Sequence, residues 1–116
     1  MAAVFDEAYV EAVLRCVEAV PRGRVTTYGA IGDVVGSGPR LVGRALAASG
    51  DGVPWWRVVR ADGSLPPSHG PRAREAYAAE GTPVRPSGRV AVADAFWQPT
   101  PPRPPVVSAV DDEVGP

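Results

Sequence analysis

The fold is decided by residues 25–49, which read VTTYGAIGDVVGSGPRLVGRALAAS. Apolar residues recur at helical spacing on both sides of Gly36-Ser37-Gly38, so this pattern predicts two short helices joined by a tight turn. The first helix is expected over about 28–35, with one hydroxyl of Thr26-Thr27 capping its free N–H groups. The second is expected to begin near Pro39, which suits a first helical turn. Such a pair is typical of a helix-turn-helix.

The second of these helices combines an apolar face with an arginine face. Leu41, Val42, Ala45 and Leu46 form the apolar face, and the small Ser49 continues it at the C-terminal end. Arg40 and Arg44 lie four residues apart on a different side, and residues at that spacing are neighbours on a helix surface. Arginines displayed by the second helix indicate DNA binding, although many small helical domains contain a similar turn.

Charge along the chain is uneven. The formal net charge is −1, which argues against a highly basic nucleic-acid binder. All twelve basic residues are arginines, however, and between Arg15 and Arg60 seven of them face only three acids. That region carries +4, whereas the last eighteen residues carry −2. A basic centre with an acidic tail is typical of a DNA-binding face beside a tail that stays off the DNA.

The chain length and the rare residue types narrow the class of protein. With 116 residues we expect one small domain, here 1–98, followed by a disordered, proline-rich and acidic tail over 99–116. A single cysteine, Cys16, and a single histidine, His69, exclude an internal disulfide and most zinc sites, so no cofactor is expected. No apolar run approaches the ~20 residues that span a bilayer. We therefore expect a cytoplasmic monomer that does not bind membranes.

The remaining segments predict an α+β protein that is mainly helical. Valines at helical spacing predict a helix over 6–20, and another is expected over 71–80 with Gly81 as its C-cap. Residues 55–60 resemble a strand, and the following Asp-Gly turn predicts a short β-hairpin. Residues 89–92 are expected to form a short strand or an ordered extension.

Two adjacent tryptophans stand in the segment VPWWRVV, residues 53–59. The segment resembles the Pro-Cys-His-Arg-Val active site of the O6-alkylguanine-DNA alkyltransferases, with Trp55 at the Cys position and Trp56 at the His position. Further segments resemble the same family in the same order over residues 4–98. They are PRGRVTTYGAI (21–31), PRLVGRAL (39–46), EG (80–81) and AFWQP (95–99).

The resemblance implies a winged-helix-like helix-turn-helix domain of the alkyltransferase C-terminal type. It is nearest to the alkyltransferase-like branch, whose members bind alkylated DNA without repairing it. An indole at position 55 cannot become a thiolate and accept an alkyl group, so no alkyl transfer is expected. The implied function is a sensor that binds O6-alkylguanine in double-stranded DNA, flips the base out and flags it for nucleotide excision repair proteins.

The resemblance also implies roles for individual residues toward DNA. Arg40 matches the arginine that enters the base stack in place of the flipped nucleotide. Tyr28 matches the tyrosine that presses on the target phosphate and touches the flipped base. Thr27, Gly43 and Arg44 belong to the same expected DNA-binding face.

A second group of residues is expected around the lesion. Trp55 is expected to line the lesion pocket together with Tyr28, with the backbone of Val58 and with Ser68 or His69 from the 64–70 loop, a choice that the sequence leaves open. If 55–60 is a strand, adjacent side chains point to opposite faces, so Trp56 is expected to pack in the core. Without a Cys-His-Glu relay, Glu80 is left with a capping or structural role, and Arg57 is expected to anchor the strand.

Three alternative functions remain open from the sequence. A helix-turn-helix transcription factor would bind undamaged DNA and would not need Trp55. A residual transferase would need Cys16 in the pocket, although Cys16 belongs to the first helix. A protein-interaction module would use the proline-rich tail and would not need Arg40.

Overall fold

The computed structural model describes residues 7–66 and 69–101. Five helices and two short strands are described, and their order confirms a mainly helical α+β fold. The helices are α1 (Glu7–Ala19), α2 (Tyr28–Val35), α3 (Pro39–Ser49), α4 (Gly70–Glu80) and α5 (Val92–Ala95). The strands are β1 (Thr26–Thr27) and β2 (Val58–Val59), and single 3₁₀ turns cover Gly50–Gly52 and Trp55–Arg57. Within the described ranges, no helix has the length and apolar character needed to cross a membrane.

Helices α1, α2 and α3 pack around one hydrophobic cluster, here called the first core. Its buried members are Val13, Cys16, Val17, Ile31, Val42, Ala45, Val53 and Val58. The valine spacing of α1 places Val13 and Val17 on one face, and both side chains are fully buried. Removing such side chains from water stabilises the fold by roughly 1.5–3 kcal/mol each. The first core therefore holds the helix-turn-helix in a fixed orientation against α1.

The helix-turn-helix forms as the sequence predicts. Of the two candidate caps, Thr27 is the one used: its Oγ1 accepts a hydrogen bond from the Ala30 amide at 3.0 Å. Gly36 ends α2 in the left-handed region at φ +84°, a conformation that a residue with a side chain rarely adopts. A Cβ on Gly32 would overlap the Ser37 carbonyl oxygen, so the turn can pass this close to α2 only over a glycine. Helix α3 then begins at Pro39.

The predicted β-hairpin is wrong in its pairing. Strand β2 lies parallel to β1, with Thr26 opposite Val58 and Thr27 opposite Val59. Residues 55–57 form a 3₁₀ turn instead of the start of a strand. The Asp62-Gly63 turn does exist, since the Arg60 amide donates to the Ser64 carbonyl at 3.0 Å. Among the described residues that follow it, however, none forms a return strand paired with β2. Pro66 has no N–H to donate to a ladder, whereas β1 offers a buried partner for β2.

A second hydrophobic cluster, here called the second core, lies on the other side of β2 and extends to Ala95 of α5. Its buried members are Val25, Val59, Ala73, Tyr77, Val90 and Ala95. Residues 95–97 run beside Val25, whose N–H donates to the Ala95 carbonyl at 3.0 Å and whose carbonyl accepts from the Trp97 amide at 2.7 Å. The predicted extension at 89–92 divides into an isolated antiparallel bridge between Val84 and Val90 and the start of α5.

The predicted tail lies mostly beyond these ranges, whereas the predicted helix over 71–80 lies within them. The tail predicted over 99–116 lies outside the described residues except for 99–101, so its disorder stays a prediction. Helix α4 spans Gly70–Glu80, and Gly81 caps it in the left-handed region at φ +73°, as expected from its sequence.

Candidate nucleic-acid interface

An open cavity of about 480 Å³ lies between the helix-turn-helix and the segment that carries Trp55. This volume is within the range of small-ligand pockets. Helices α2 and α3 form one wall, and the opposite wall comes from residues 55–72. The lining residues are Tyr28, Pro39, Arg40, Gly43, Leu46, Ala47, Gly50, Asp51, Trp55, Arg60, Leu65, Pro66, His69 and Arg72.

Tyr28 lies at the first position of α2, where the Thr27 cap fixes the start of the helix. Its side chain is half-buried, and this burial raises the pKa of the phenol, an effect that the positive charge of Arg60 partly offsets. The hydroxyl is therefore neutral at physiological pH and can both donate and accept a hydrogen bond. A Cβ on Gly43 would lie 4.0 Å from the Tyr28 ring, which is an ordinary contact, so the ring itself does not require a glycine there.

Arg40 and Arg44 occupy different places relative to the cavity. Arg40 is the second residue of α3, is exposed and lines the cavity. Arg44 is also exposed, but it lies one turn further along α3 and is outside the lining set. Arg40 is thus the arginine of α3 that borders both solvent and the cavity.

Trp55 is the aromatic residue of the opposite wall. The centroid of the Trp55 ring lies 5.1 Å from the centroid of the His69 ring. The guanidinium carbon of Arg72 lies 5.8 Å from the same Trp55 centroid. Trp56 meets the Trp55 ring edge to face, at 5.5 Å and an interplanar angle of 83°. The two indoles therefore point different ways, although both lie within one 3₁₀ turn and not in a strand.

Trp56 is held away from the cavity by the carboxylate of Glu80. Its Nε1 donates to Glu80 Oε2 at 2.9 Å, and Arg57 donates to the same carboxylate through Nε at 3.1 Å and Nη2 at 2.8 Å. The Gly23 amide adds a fourth hydrogen bond at 3.3 Å. Arg57 also donates to the Val20 carbonyl at 2.8 Å. We call Gly23, Trp56, Arg57 and Glu80 the Glu80 clasp.

The electrostatics of the Glu80 clasp favour the ionised carboxylate. Burial alone would raise the pKa of Glu80, but the hydrogen bonds from Arg57, Trp56 and Gly23, together with the Arg57 charge, hold it below its ordinary value. Behind the clasp, the Tyr77 hydroxyl donates to the Trp56 carbonyl at 2.7 Å. Burial raises the pKa of this Tyr77 phenol. The structural roles predicted for Glu80 and Arg57 are therefore observed, and together they fix the turn that carries Trp55.

Three described residues expected at the interface are outside the lining set of the cavity, namely Thr27, Arg44 and Val58. The side chain of Val58 is fully buried in the first core, and the Thr27 hydroxyl is used as the cap of α2. Ser68 lies outside the described residues. Contacts of the Val58 backbone, Thr27 and Ser68 with DNA stay predictions.

Several lining residues were missed by sequence reasoning. Arg60 directly follows β2, and Arg72 lies in the first turn of α4, so only the fold brings both to the same cavity as Tyr28. Asp51, from the loop after α3, is the acid of the lining set. The signal for Arg60 was an arginine directly after two buried valines, whereas nothing in the sequence pattern indicates Arg72.

The described residues bring neither a thiol nor a metal cluster to the cavity. Cys16 lies in the first core, where burial raises the pKa of its thiol, and it is not a lining residue. Over residues 7–66 and 69–101, no group of three or more His, Cys, Asp or Glu side chains is arranged to hold a metal ion.

Relatives of this chain are found at the level of sequence. Residues 8–82 match the family described as "6-O-methylguanine DNA methyltransferase, DNA binding domain". A "DNA base-flipping protein" of Vibrio parahaemolyticus is 31% identical over 99 residues, which cover 80% of this chain and 99% of that protein. A "DNA base-flipping protein" of Escherichia coli K12 is 35% identical over 99 residues, which cover 79% of this chain and 76% of that protein.

Solved structures share the fold. The alkyltransferase-like protein Atl1 of S. pombe, in complex with damaged DNA containing O6-carboxymethylguanine, matches with a TM-score of 0.71 and 24% identity over 81% of this chain and 98% of its own. A second S. pombe ATL structure, in complex with DNA, has a TM-score of 0.69 and 25% identity over the same shares. The resemblance inferred from the motifs is confirmed, and the chain belongs to the family of the 6-O-methylguanine DNA methyltransferase DNA-binding domain.

Proposed function

We propose that this protein is a non-enzymatic sensor of DNA damage, which binds O6-alkylguanine in duplex DNA by flipping the base into the cavity. The observation that carries the proposal is the cavity itself, which is lined by Arg40 of α3 and by the indole of Trp55. Two relatives are named as base-flipping proteins, and Atl1 was solved with DNA that contains an O6-alkylated guanine.

Each side chain of the interface has a physical task in base flipping. Extruding a nucleotide costs a few kcal/mol, which the protein must offset with new contacts. The planar guanidinium of Arg40 can stack between bases and donate hydrogen bonds to the orphaned partner base. Tyr28 borders the same cavity and supplies a neutral hydroxyl for the target phosphate. A base that stacks on Trp55 gains about 1–3 kcal/mol.

The absence of alkyl transfer follows from the chemistry of the indoles. Trp55 has no thiolate to attack the alkyl carbon. Trp56 offers only an N–H donor, which Glu80 already accepts, so it cannot act as a general base. Because Cys16 is buried in the first core, it supplies no substitute nucleophile.

A sensor without chemistry of its own must hand the lesion to other proteins. We therefore propose that nucleotide excision repair proteins act on the complex, and that the sensor works as a cytoplasmic monomer. Co-sedimentation of the DNA-bound protein with purified excision repair proteins tests the first point.

Fluorescence anisotropy with matched duplexes tests lesion binding. At one fixed salt concentration, chosen because phosphate contacts make affinity depend on salt, a duplex with O6-methylguanine is compared with the same duplex carrying guanine. We expect tighter binding to the methylated duplex, and a loss of about tenfold in Arg40→Ala and Tyr28→Ala, the scale of one lost stacking contact. Arg85→Ala is the matched control, because Arg85 is exposed and outside the lining set.

The same titrations separate the sensor from a transcription factor. Equal affinity for the O6-methylguanine duplex and the guanine duplex would contradict the sensor function. If the protein also preferred one DNA sequence, a helix-turn-helix regulator would be favoured. Unchanged binding in Arg40→Ala would show that α3 is not the DNA-contacting helix.

A further inference from the structure

Positive charge predominates in the lining of the cavity. The charged lining residues are Arg40, Arg60 and Arg72 against the single acid Asp51. Arg40 belongs to α3, and Arg60 lies close enough to Tyr28 for its charge to act on the phenol pKa. Arg72 differs from both, because its guanidinium is associated with the Trp55 indole.

Arg72 is available to a bound ligand. Its side chain is exposed in the first turn of α4, and its guanidinium carbon lies 5.8 Å from the centre of the Trp55 ring. In the described part of the chain, ion pairs join Arg15 to Glu11, Arg57 to Glu80, and Arg89 to Asp62, and none includes Arg72. A guanidinium over an aromatic face keeps its N–H donors free at its edge.

A base that enters the cavity and meets Trp55 also comes within reach of Arg72. The arginine stem is long and flexible, and its planar fork matches a carboxylate with two parallel hydrogen bonds. A neutral alkyl group offers this fork no acceptor, and an amide oxygen offers an uncharged one. An acidic adduct at O6 and a neutral one therefore differ in what they offer to this fork.

We propose that Arg72 makes the cavity selective for O6-substituents that carry an acidic group, such as a carboxylate. This inference rests on the proposed function, since it assumes that the flipped guanine occupies the cavity. Arg72 recognises the anion by charge-assisted hydrogen bonds, while Trp55 supplies the surface on which the base rests.

Binding of two adducts with equal shape and different charge tests the selectivity. Three duplexes are compared, which carry O6-carboxymethylguanine, its neutral amide O6-carbamoylmethylguanine, or guanine. Hydrogen bonds to a charged group are about twice as strong as neutral ones, and exposure of Arg72 weakens the gain through solvent screening. We expect the acid to bind about fivefold more tightly than the amide at low salt, a scale typical of exposed charge pairs.

Two variants show whether the preference comes from Arg72. In Arg72→Gln the acid and the amide should bind equally, because glutamine carries no charge that distinguishes a carboxylate from an amide. Arg74→Gln removes the same charge from the same helix at an exposed position outside the lining set, and it should keep the preference. Loss of the preference in both variants would assign it to the overall charge of α4 and overturn the role of Arg72.

The three duplexes also separate this inference from the proposed function. If both adducts bind more tightly than guanine but equally to each other, the sensor function stands and the selectivity is refuted. If neither adduct binds more tightly than guanine, the proposed function fails and the selectivity fails with it.

Discussion

Replacement of Glu80 by Gln is the sharpest test of how the cavity wall is built. The substitution keeps the shape of the side chain and removes its charge. In the wild type, four N–H groups from Trp56, Arg57 and Gly23 converge on the Glu80 carboxylate. A glutamine retains one oxygen acceptor, and its NH₂ group turns a donor toward other donors.

The size of the effect follows from burial. The exposed fraction is 4% for the Glu80 side chain and 13% for Arg57, so their ion pair is largely shielded from water. Breaking a buried pair costs about 3–5 kcal/mol, because the remaining charge is left without its partner. Arg57 keeps its hydrogen bond to the Val20 carbonyl and some access to water. We therefore expect the lower end, a loss of about 3 kcal/mol in the free energy of unfolding.

Urea unfolding followed by tryptophan fluorescence measures this loss, since Trp55 and Trp56 report directly on the clasp. The matched control is Glu75→Gln, the same chemical change at an exposed position of the same helix, which should stay within about 0.5 kcal/mol of wild type. If Glu80→Gln lowered the free energy of unfolding by less than about 1 kcal/mol, well below the range for a buried pair, the Glu80 clasp would not be what holds the Trp55 turn.

Two further predictions concern pH and backbone conformation. Because the pKa of Glu80 in the folded protein lies below its ordinary value of 4.5, the unfolded chain takes up the proton first. This contribution to stability is thus present above pH 4.5 and is lost as pH falls through the folded pKa. Urea unfolding between pH 7 and 3 should therefore show that the free energy of unfolding falls more steeply with pH in wild type than in Glu80→Gln. Equal pH dependence in the two proteins would contradict this. Gly63→Ala should lower the free energy of unfolding by more than about 2 kcal/mol, since Gly63 has φ +85° and a Cβ would overlap the Val90 carbonyl oxygen. Gly29→Ala, where a Cβ has open space, is the control in thermal melts, and an equal melting temperature for the two variants would refute the steric argument.

The helical part of the fold was predictable because its signals are local. Valine spacing in α1, the Thr27 cap, the glycine turn and Pro39 each act within one or two helical turns. The observed α2 bounds agree with the predicted 28–35, and Gly81 caps α4 as expected.

The strand pairing was not predictable from the same local signals. An Asp-Gly turn after an apolar run favours a hairpin, and that preference was overridden by burial on both faces of β2. Val58 faces the first core and Val59 the second, so β2 must lie in the interior, where β1 is the available partner.

The sequence alone predicted the family and the helix-turn-helix, and it contains two indoles at the positions where the resemblance implies a nucleophile and a base. These depend on residue types and short spacings, which are readable without coordinates. The sequence also predicted that Trp55 lines the cavity with Tyr28. Only the tertiary structure decided that Trp56 turns to Glu80 and that Arg72 joins the cavity from α4. The physical reason is that the cavity forms between elements that are distant in the chain. The set of residues that line it therefore depends on how the two cores pack around the buried strand β2.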